Sequence, residues 1–259
     1  MKPLLTFTCI GHKEVDHLKE LLPQLLKTGC EVVYVDCESE DGSFELAESL
    51  GCKAFRRQNT MNLNVNKSYT MEQVTTPWIF YVDPDERFSP ELLAEIESKI
   101  SGQSSSAAFK LQRRNHYFGK WLRHGGQFPD TQLRLFQKDK GRFPNKHVHE
   151  SLKIDGAISR LQEPMDHYPY LSISQYLKKF DFYSSFEAQY LYDKGLRPGF
   201  STGFKYLIWK PKARFFRRYL FKGGFRDGLP GLFAALFDAL GWATRYFKLW
   251  EIHNKKTDV

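Results

Sequence analysis

The chain has 259 residues, 41% hydrophobic and 26% charged, a balance that belongs to a globular domain or two and excludes collagen, coiled coil and wholesale disorder. Its formal charge of +8 is uneven: residues 1–100 carry a net −7 and residues 101–259 a net +15. No stretch reaches the roughly 20 apolar residues that span a bilayer; Gly228 to Ala243 comes nearest, and Asp238 interrupts it.

Leu4 to Ile10 reads as a buried strand, following Met1-Lys2-Pro3 so directly that no signal peptide is expected. Val15 to Lys27 carries Leu18, Leu21, Leu22, Leu25 and Leu26 at helical spacing, with Pro23 as a candidate kink. Glu31 to Asp36 is a second strand, ending in a carboxylate, and Ser43 to Leu50 a short helix stopped by Gly51. Lys53 to Arg57 reads as a third strand and Asn64 to Val74 as a helix. Trp78 to Val82 is a strand running into Asp83-Pro-Asp85-Glu86, after which Ser89 caps a helix opened by Pro90 and reaching about Ile100. Repeated strand–helix units predict an α/β fold with a mainly parallel sheet.

Gly102 to Ser106 is a polar linker. Ala107 to Arg113 and Gln132 to Phe136 read as strands, separated by a loop from Asn115 to Asp130 rich in Gly, His and aromatics. From Tyr168 the chain reads as helical, and Tyr168 to Trp250 holds 24 of the 40 Phe, Trp and Tyr residues. Two regions are therefore expected, 1–167 and 168–259. The four cysteines (Cys9, Cys30, Cys37, Cys52) lack paired metal-ligand spacing and are expected as reduced thiols of a cytosolic protein.

In an open parallel sheet, ligands bind beyond the carboxyl ends of the strands. Two strands end there in carboxylates, one at Asp36 and one at Asp83-Pro-Asp85-Glu86. Clustered carboxylates repel unless a cation or hydrogen-bond donors offset them. Hard oxygen ligands in this position suit Mg²⁺ or Mn²⁺ with a bound diphosphate.

These residues carry a family resemblance. Val35-Asp-Cys-Glu-Ser-Glu-Asp-Gly-Ser43 resembles the V-D-S-G-S-T-D-G-T loop of family-2 glycosyltransferases of GT-A fold. Trp78-Ile-Phe-Tyr-Val-Asp-Pro-Asp-Glu-Arg87 resembles their W-x-L-x-L-D-A-D-E-R segment, Lys67 their K-N-x-A lysine, and Glu14 the Glu of their N-E pair. Pro129-Asp-Thr-Gln-Leu-Arg-Leu-Phe136, Val148-His-Glu150 and Gly223-Gly-Phe-Arg-Asp-Gly-Leu-Pro-Gly231 are similar to one branch of the family. That branch contains the lipopolysaccharide inner-core glucosyltransferases. The chain departs from the pattern at Lys13 (for Asn), Glu38 (for Gly), Ser68 (for Asn) and Pro84 (for Ala), all in the expected donor pocket.

The resemblance implies inverting transfer from a UDP-sugar, with glucose as the family-level donor sugar, to a lipid-linked or phosphorylated saccharide acceptor. It implies a divalent metal on Asp85, with Asp83 on the metal or the ribose. Asp36 and Glu14 would meet the uridine end and Lys67 the diphosphate or base. The general base is Asp130 or Glu150; His149 would touch the metal or diphosphate, or serve structurally. Arg134 would neutralise phosphate, orient Asp130, or form a structural salt bridge.

Lys194 to Arg226 holds ten basic residues and no acidic one. Lys210 to Lys222 mixes cations with large apolar residues, and helical spacing puts Phe215, Tyr219 and Lys222 on one face. This predicts either a basic interfacial helix on an anionic membrane surface, at the inner face of the cytoplasmic membrane, or helices packed on the core of the α/β domain with Lys and Arg solvated. The competing readings are a nucleic-acid-binding protein and a nucleotidyltransferase. No recognised nucleic-acid motif supports the first, so no nucleic-acid partner is expected, and Gly11-His-Lys-Glu14 has one Gly where the second often has a Gly-rich loop.

Overall fold

A computed structural model describes residues 3–59, 63–102, 105–143 and 152–257. The chain divides into two units, Met1–Arg113 with Asp130–His167, and Arg114–Pro129 with Tyr168–Val259.

The first unit alternates β1 (Leu5–Gly11), α1 (Val15–Leu26), β2 (Glu31–Cys37), α2 (Ser43–Ser49), β3 (Lys53–Arg57), α3 (Leu63–Glu72) and β4 (Trp78–Val82). A short β5 (Glu86–Arg87) precedes α4 (Pro90–Ser101), whose expected cap is present: the Ser89 side chain accepts a hydrogen bond from the Leu92 amide. Then come β6 (Ala108–Tyr117), β7 (Lys120–Trp121), β8 (Asp130–Gln137), β9 (Gly141–Arg142), β10 (Lys153–Ile154), β11 (Ile158–Arg160) and β12 (Met165–Tyr170). The main sheet runs β3-β2-β1-β4-β8-β6-β12-β5. It is parallel from β3 to β4, and β8 is antiparallel to both β4 and β6. The mainly parallel α/β sheet of GT-A type is thus present, with an antiparallel second half.

Period-two alternation sorts side chains onto the two sheet faces. Val32, Tyr34, Trp78 and Phe80 join one core with Leu18, Leu21, Leu22 and Leu25 of α1 and Leu92 and Ile96 of α4. Val33, Val35, Ile79 and Tyr81 join the other, against Tyr69 and Met71 of α3. Because helices cover both faces, every residue of β4 is buried. α1 runs through Pro23 without interruption.

The second unit contains α5 (Ile173–Asp193) and α8 (Gly228–Thr257). Between them lie α6 (Phe200–Gly203), a π-helical stretch Phe204–Trp209, α7 (Lys210–Phe216) and a second π stretch Arg217–Phe221. Arg114–Pro129 belongs here rather than with the sheet residues before it, because its contacts are aromatic and helical. Tyr117 packs on Tyr170 (ring centroids 4.9 Å), Phe118 on Phe233 (5.0 Å), and the His124 amide donates to Asp227 (2.8 Å). Among the described residues no helix is long and apolar enough to cross a membrane.

Candidate active site

Strand order and direction bring the chemistry to one edge. β4 ends at Val82, so Asp83 and Asp85 follow its carboxyl end. β8 is antiparallel and starts there with Asp130, which sits opposite Arg113 of β6. Asp36, next to last in β2, sits opposite Gly11, at the same edge two strands away.

β8 carries a bulge. The β6–β8 register passes from Phe109–Leu135 to Lys110–Leu133 and skips Arg134. A bulge re-aims a side chain, and Arg134, 5% exposed, reaches two carboxylates. It donates to Asp83 and, at 2.5 Å, to Glu86 Oε1. Arg113 also donates to Glu86 Oε1 (3.2 Å), and grips Asp130 Oδ2 through Nε (2.9 Å) and Nη2 (2.8 Å). Glu86 is fully buried, and its other oxygen accepts the Asp83 amide (2.8 Å). Two arginines therefore link three carboxylates from three strand ends.

Burial works against the charge on each of these groups, and the network answers it unequally. For Asp83, burial raises the carboxyl pKa, but Arg134, Lys67 and the Tyr81 hydroxyl (2.6 Å to Oδ1) together hold it well below the ordinary range. For Glu86, burial dominates and the pKa is pushed up, with Asp83 adding repulsion. Both arginines are pushed up despite burial, Arg134 by Asp83 and Glu86, Arg113 by Glu86 and Asp130. This is a fixed electrostatic frame rather than a set of independent side chains.

Lys67 is half-buried on α3, not an exposed helix lysine. Its ammonium lies 4.4 Å from the Tyr81 ring centroid and 5.6 Å from that of Phe143. Burial lowers its pKa, and Asp83 partly opposes that.

The Asp36–Ser43 loop is tied to the first strand. Asp36 is buried and accepts from the Tyr34 hydroxyl (3.2 Å) and the Ser39 amide (2.8 Å). Gly11 permits this, since a Cβ there would stand 2.7 Å from the Tyr34 hydroxyl. His12 Nδ1 lies 2.6 Å from the Cys37 carbonyl, and the Lys13 and Glu14 amides donate to Ser39 Oγ (2.8 Å) and Ser43 Oγ (3.2 Å). Asp41 accepts from the Val15 amide (3.0 Å) and from Ser43. Two of the four departures from the family pattern fall at unusual backbone positions: Lys13 and Glu38 both have positive φ, 58° and 59°.

The structure groups Asp83, Asp130 and Arg134 with Lys67 beside them, and puts Asp36 and Glu14 in the neighbouring loop pair. Asp83, expected on the metal or the ribose, has both oxygens engaged within the protein, by Arg134 and Tyr81. Asp85 Oδ1 lies 3.4 Å from His167 Nε2. His149 and Glu150 lie outside the described residues. Among the described residues no group of three His, Cys, Asp or Glu side chains is arranged to hold a metal. The Asp85–His167 pair does fit a cation that takes its remaining ligands from phosphate and water, as Mg²⁺ or Mn²⁺ usually does. Glu86, Arg113 and His167 had no assigned role in the sequence. Arg113 had a signal: it follows Phe109 and Leu111 at alternate positions of β6, where those two are buried.

Comparison with known proteins bears on the class of this site. The family model described as Glycosyl transferase family 2 matches residues 12–160. The lipopolysaccharide core biosynthesis glycosyltransferase LpsC of Rhizobium meliloti (strain 1021) is 26% identical over 237 residues, covering 89% of this chain and 86% of LpsC. An uncharacterized glycosyltransferase of Rickettsia felis is 31% identical over 219 residues, covering 79% of this chain and 77% of its own. Among solved structures, S. aureus TarS 1-349 in complex with UDP aligns over 87% of this chain and 75% of its own, at 14% identity and a TM-score of 0.47. The matched span takes in the Asp36–Ser43 loop, the Asp83–Asp85 turn and β8, and the chain belongs to glycosyl transferase family 2.

Proposed function

We infer that the protein transfers a sugar, glucose by family resemblance, from a UDP-sugar to a saccharide of the lipopolysaccharide core or a related cell-envelope glycan, with inversion at the anomeric carbon. The observation carrying this reading is the convergence of Asp83, Asp85, Asp130, Arg113 and Arg134 at the carboxyl edge of the sheet, beside the Asp36 loop. The name of the Rhizobium relative supports the choice of acceptor.

Asp36 and Glu14 hold the uridine end in this reading, and the Lys67 ammonium faces the diphosphate. A divalent cation, when bound at Asp85 with His167, would offset the charge of the departing diphosphate. Asp130 accepts the proton of the attacking acceptor hydroxyl, and the carboxylate is held for that task by Arg113 on Oδ2 and by the Gln132 amide group on Oδ1 (2.8 Å). Arg134 keeps Asp83 ionised and fixes the turn that carries Asp85. The acceptor is lipid-linked, and the enzyme works at the inner face of the cytoplasmic membrane.

Asp130→Asn tests the base assignment. Turnover is expected to fall by about 10²–10⁴-fold, with UDP-sugar affinity unchanged by calorimetry. Wild-type turnover in this variant would refute the role of Asp130 and leave Glu150 as the base.

A further inference from the structure

The sequence predicted that Phe215 and Tyr219 form a lipid-facing surface. In the structure these two rings stack on each other at 5.3 Å and are half-buried. Residues one step around the helix are exposed instead, and they form a continuous stripe.

From Phe200 to Phe221 the inward residues recur every four positions. Tyr206 packs on Trp242 and Tyr246 of α8, Lys210 lies over the Tyr206 and Trp242 rings, and Arg214 and Arg218 both pair with Asp238. The outward residues recur at the same interval. A four-residue repeat would drift by about 40° per repeat around a pure α-helix of 3.6 residues per turn. The π stretches at Phe204–Trp209 and Arg217–Phe221 widen the turn and offset that drift. The stripe therefore stays on one side of the helix for its whole length.

Its apolar members are large and exposed: Phe204 56%, Ile208 43%, Trp209 65%, Phe216 47%, Leu220 49% and Phe221 86%. Lys205, Lys212 and Arg217 interleave with them and are also exposed, and no acidic residue occurs from Lys194 to Arg226. An exposed apolar face this long ordinarily has an occupant. A second copy of the same stripe would set like charges against each other. An anionic bilayer interface matches both features, since aromatic side chains enter the headgroup boundary while lysine and arginine meet the lipid phosphates.

We propose that the outward stripe Phe204–Phe221 is the membrane-docking face of this protein and lies in the plane of an anionic lipid surface. This rests on the reading of the acceptor as lipid-linked and identifies the face that meets the lipid. Docking is read without donor or acceptor, so its failure is separable from failure of the transferase reading, which nucleotide binding reports.

The test is sedimentation of the full chain with vesicles of phosphatidylethanolamine and phosphatidylglycerol, against pure phosphatidylcholine vesicles, at low and high salt. Binding is expected on the anionic vesicles only, weakened by salt. The double variant Trp209→Glu/Phe216→Glu should lose about tenfold or more in vesicle affinity and keep its thermal midpoint and UDP binding. If that variant loses its fold, Lys205→Gln/Lys212→Gln should lower anionic-vesicle affinity and its salt dependence. No binding to anionic vesicles at low salt, or binding indifferent to both double variants, would overturn the proposal. So would self-association by sedimentation velocity that the aromatic substitutions abolish, or capture of an acidic soluble protein without any vesicle binding.

Discussion

At the scale of single residues, the site depends on side chains whose charge is held against burial. Asp83 is the clearest case, because its folded pKa lies below that of the unfolded chain. A depressed carboxylate contributes stability above its unfolded pKa, and that contribution is lost as pH falls toward the folded value. Asp83→Asn should therefore be less stable than the wild type at neutral pH, and the difference should close as pH drops below about 4. Urea unfolding at several pH values measures this; a difference constant with pH would mean that Asp83 contributes through packing alone. Glu38 poses a different question, since its φ of 59° is left-handed and its carboxylate accepts the Asn59 amide (3.1 Å). A non-Gly residue there carries about 1–2 kcal/mol of strain, against about 0.5–1 kcal/mol of extra unfolded-state freedom for glycine. Glu38→Gly is expected to leave the free energy of urea unfolding equal or raised; a fall of more than about 1 kcal/mol would mean that the Asn59 contact outweighs the backbone. The resemblance had already marked position 38 as a glycine position, but the positive φ behind it is a backbone property that one sequence does not display. Asp36 and Asp83 were legible because they end strands, whereas the hydroxyl of Tyr34 and the amide of Ser39 that hold Asp36 meet it only through the fold.

At the scale of elements, β8 joins fold and site. Its sequence Leu133-Arg134-Leu135-Phe136 breaks strict alternation, with Arg134, Leu135 and Phe136 all buried. The bulge resolves the conflict by taking Arg134 out of the ladder and turning it to Asp83 and Glu86. Removing its charge leaves two carboxylates without their shared partner, which typically costs about 3–5 kcal/mol. Arg134→Met should lower stability by that order and weaken donor binding with it. A loss below about 1 kcal/mol would show that Arg113 alone carries both carboxylates. Here the sequence reading named the residue but left open phosphate contact, orientation of Asp130 and a structural salt bridge. The structure has the salt bridge, and Asp130 is held by Arg113 instead. The alternation of β1–β4 and the leucine spacing of α1 were readable because local period sets which face is buried. The antiparallel insertion of β8 between β4 and β6 was not, since pairing across about 50 residues leaves no local period.

At the scale of the whole molecule, charge is divided along the chain. The acidic first hundred residues supply Asp36, Asp83, Asp85 and Glu86 of the sheet edge, and the basic remainder supplies Asp130 and includes the exposed stripe of the second unit. The sequence reading placed a boundary at residue 167 from the rise in aromatic content. The grouping of Arg114–Pro129 with the second unit was not legible, because it depends on ring contacts and on the His124–Asp227 pair about 100 residues away in sequence. The proposed function rests on a nucleotide sugar held at the carboxyl edge with a divalent cation at Asp85. Calorimetry of UDP binding, with and without Mn²⁺, on the wild type and on Asp85→Ala, addresses that directly. UDP is expected to bind the wild type only with Mn²⁺ and to lose binding in Asp85→Ala. Absence of nucleotide binding under every metal condition, or binding indifferent to both Mn²⁺ and Asp85, would contradict it.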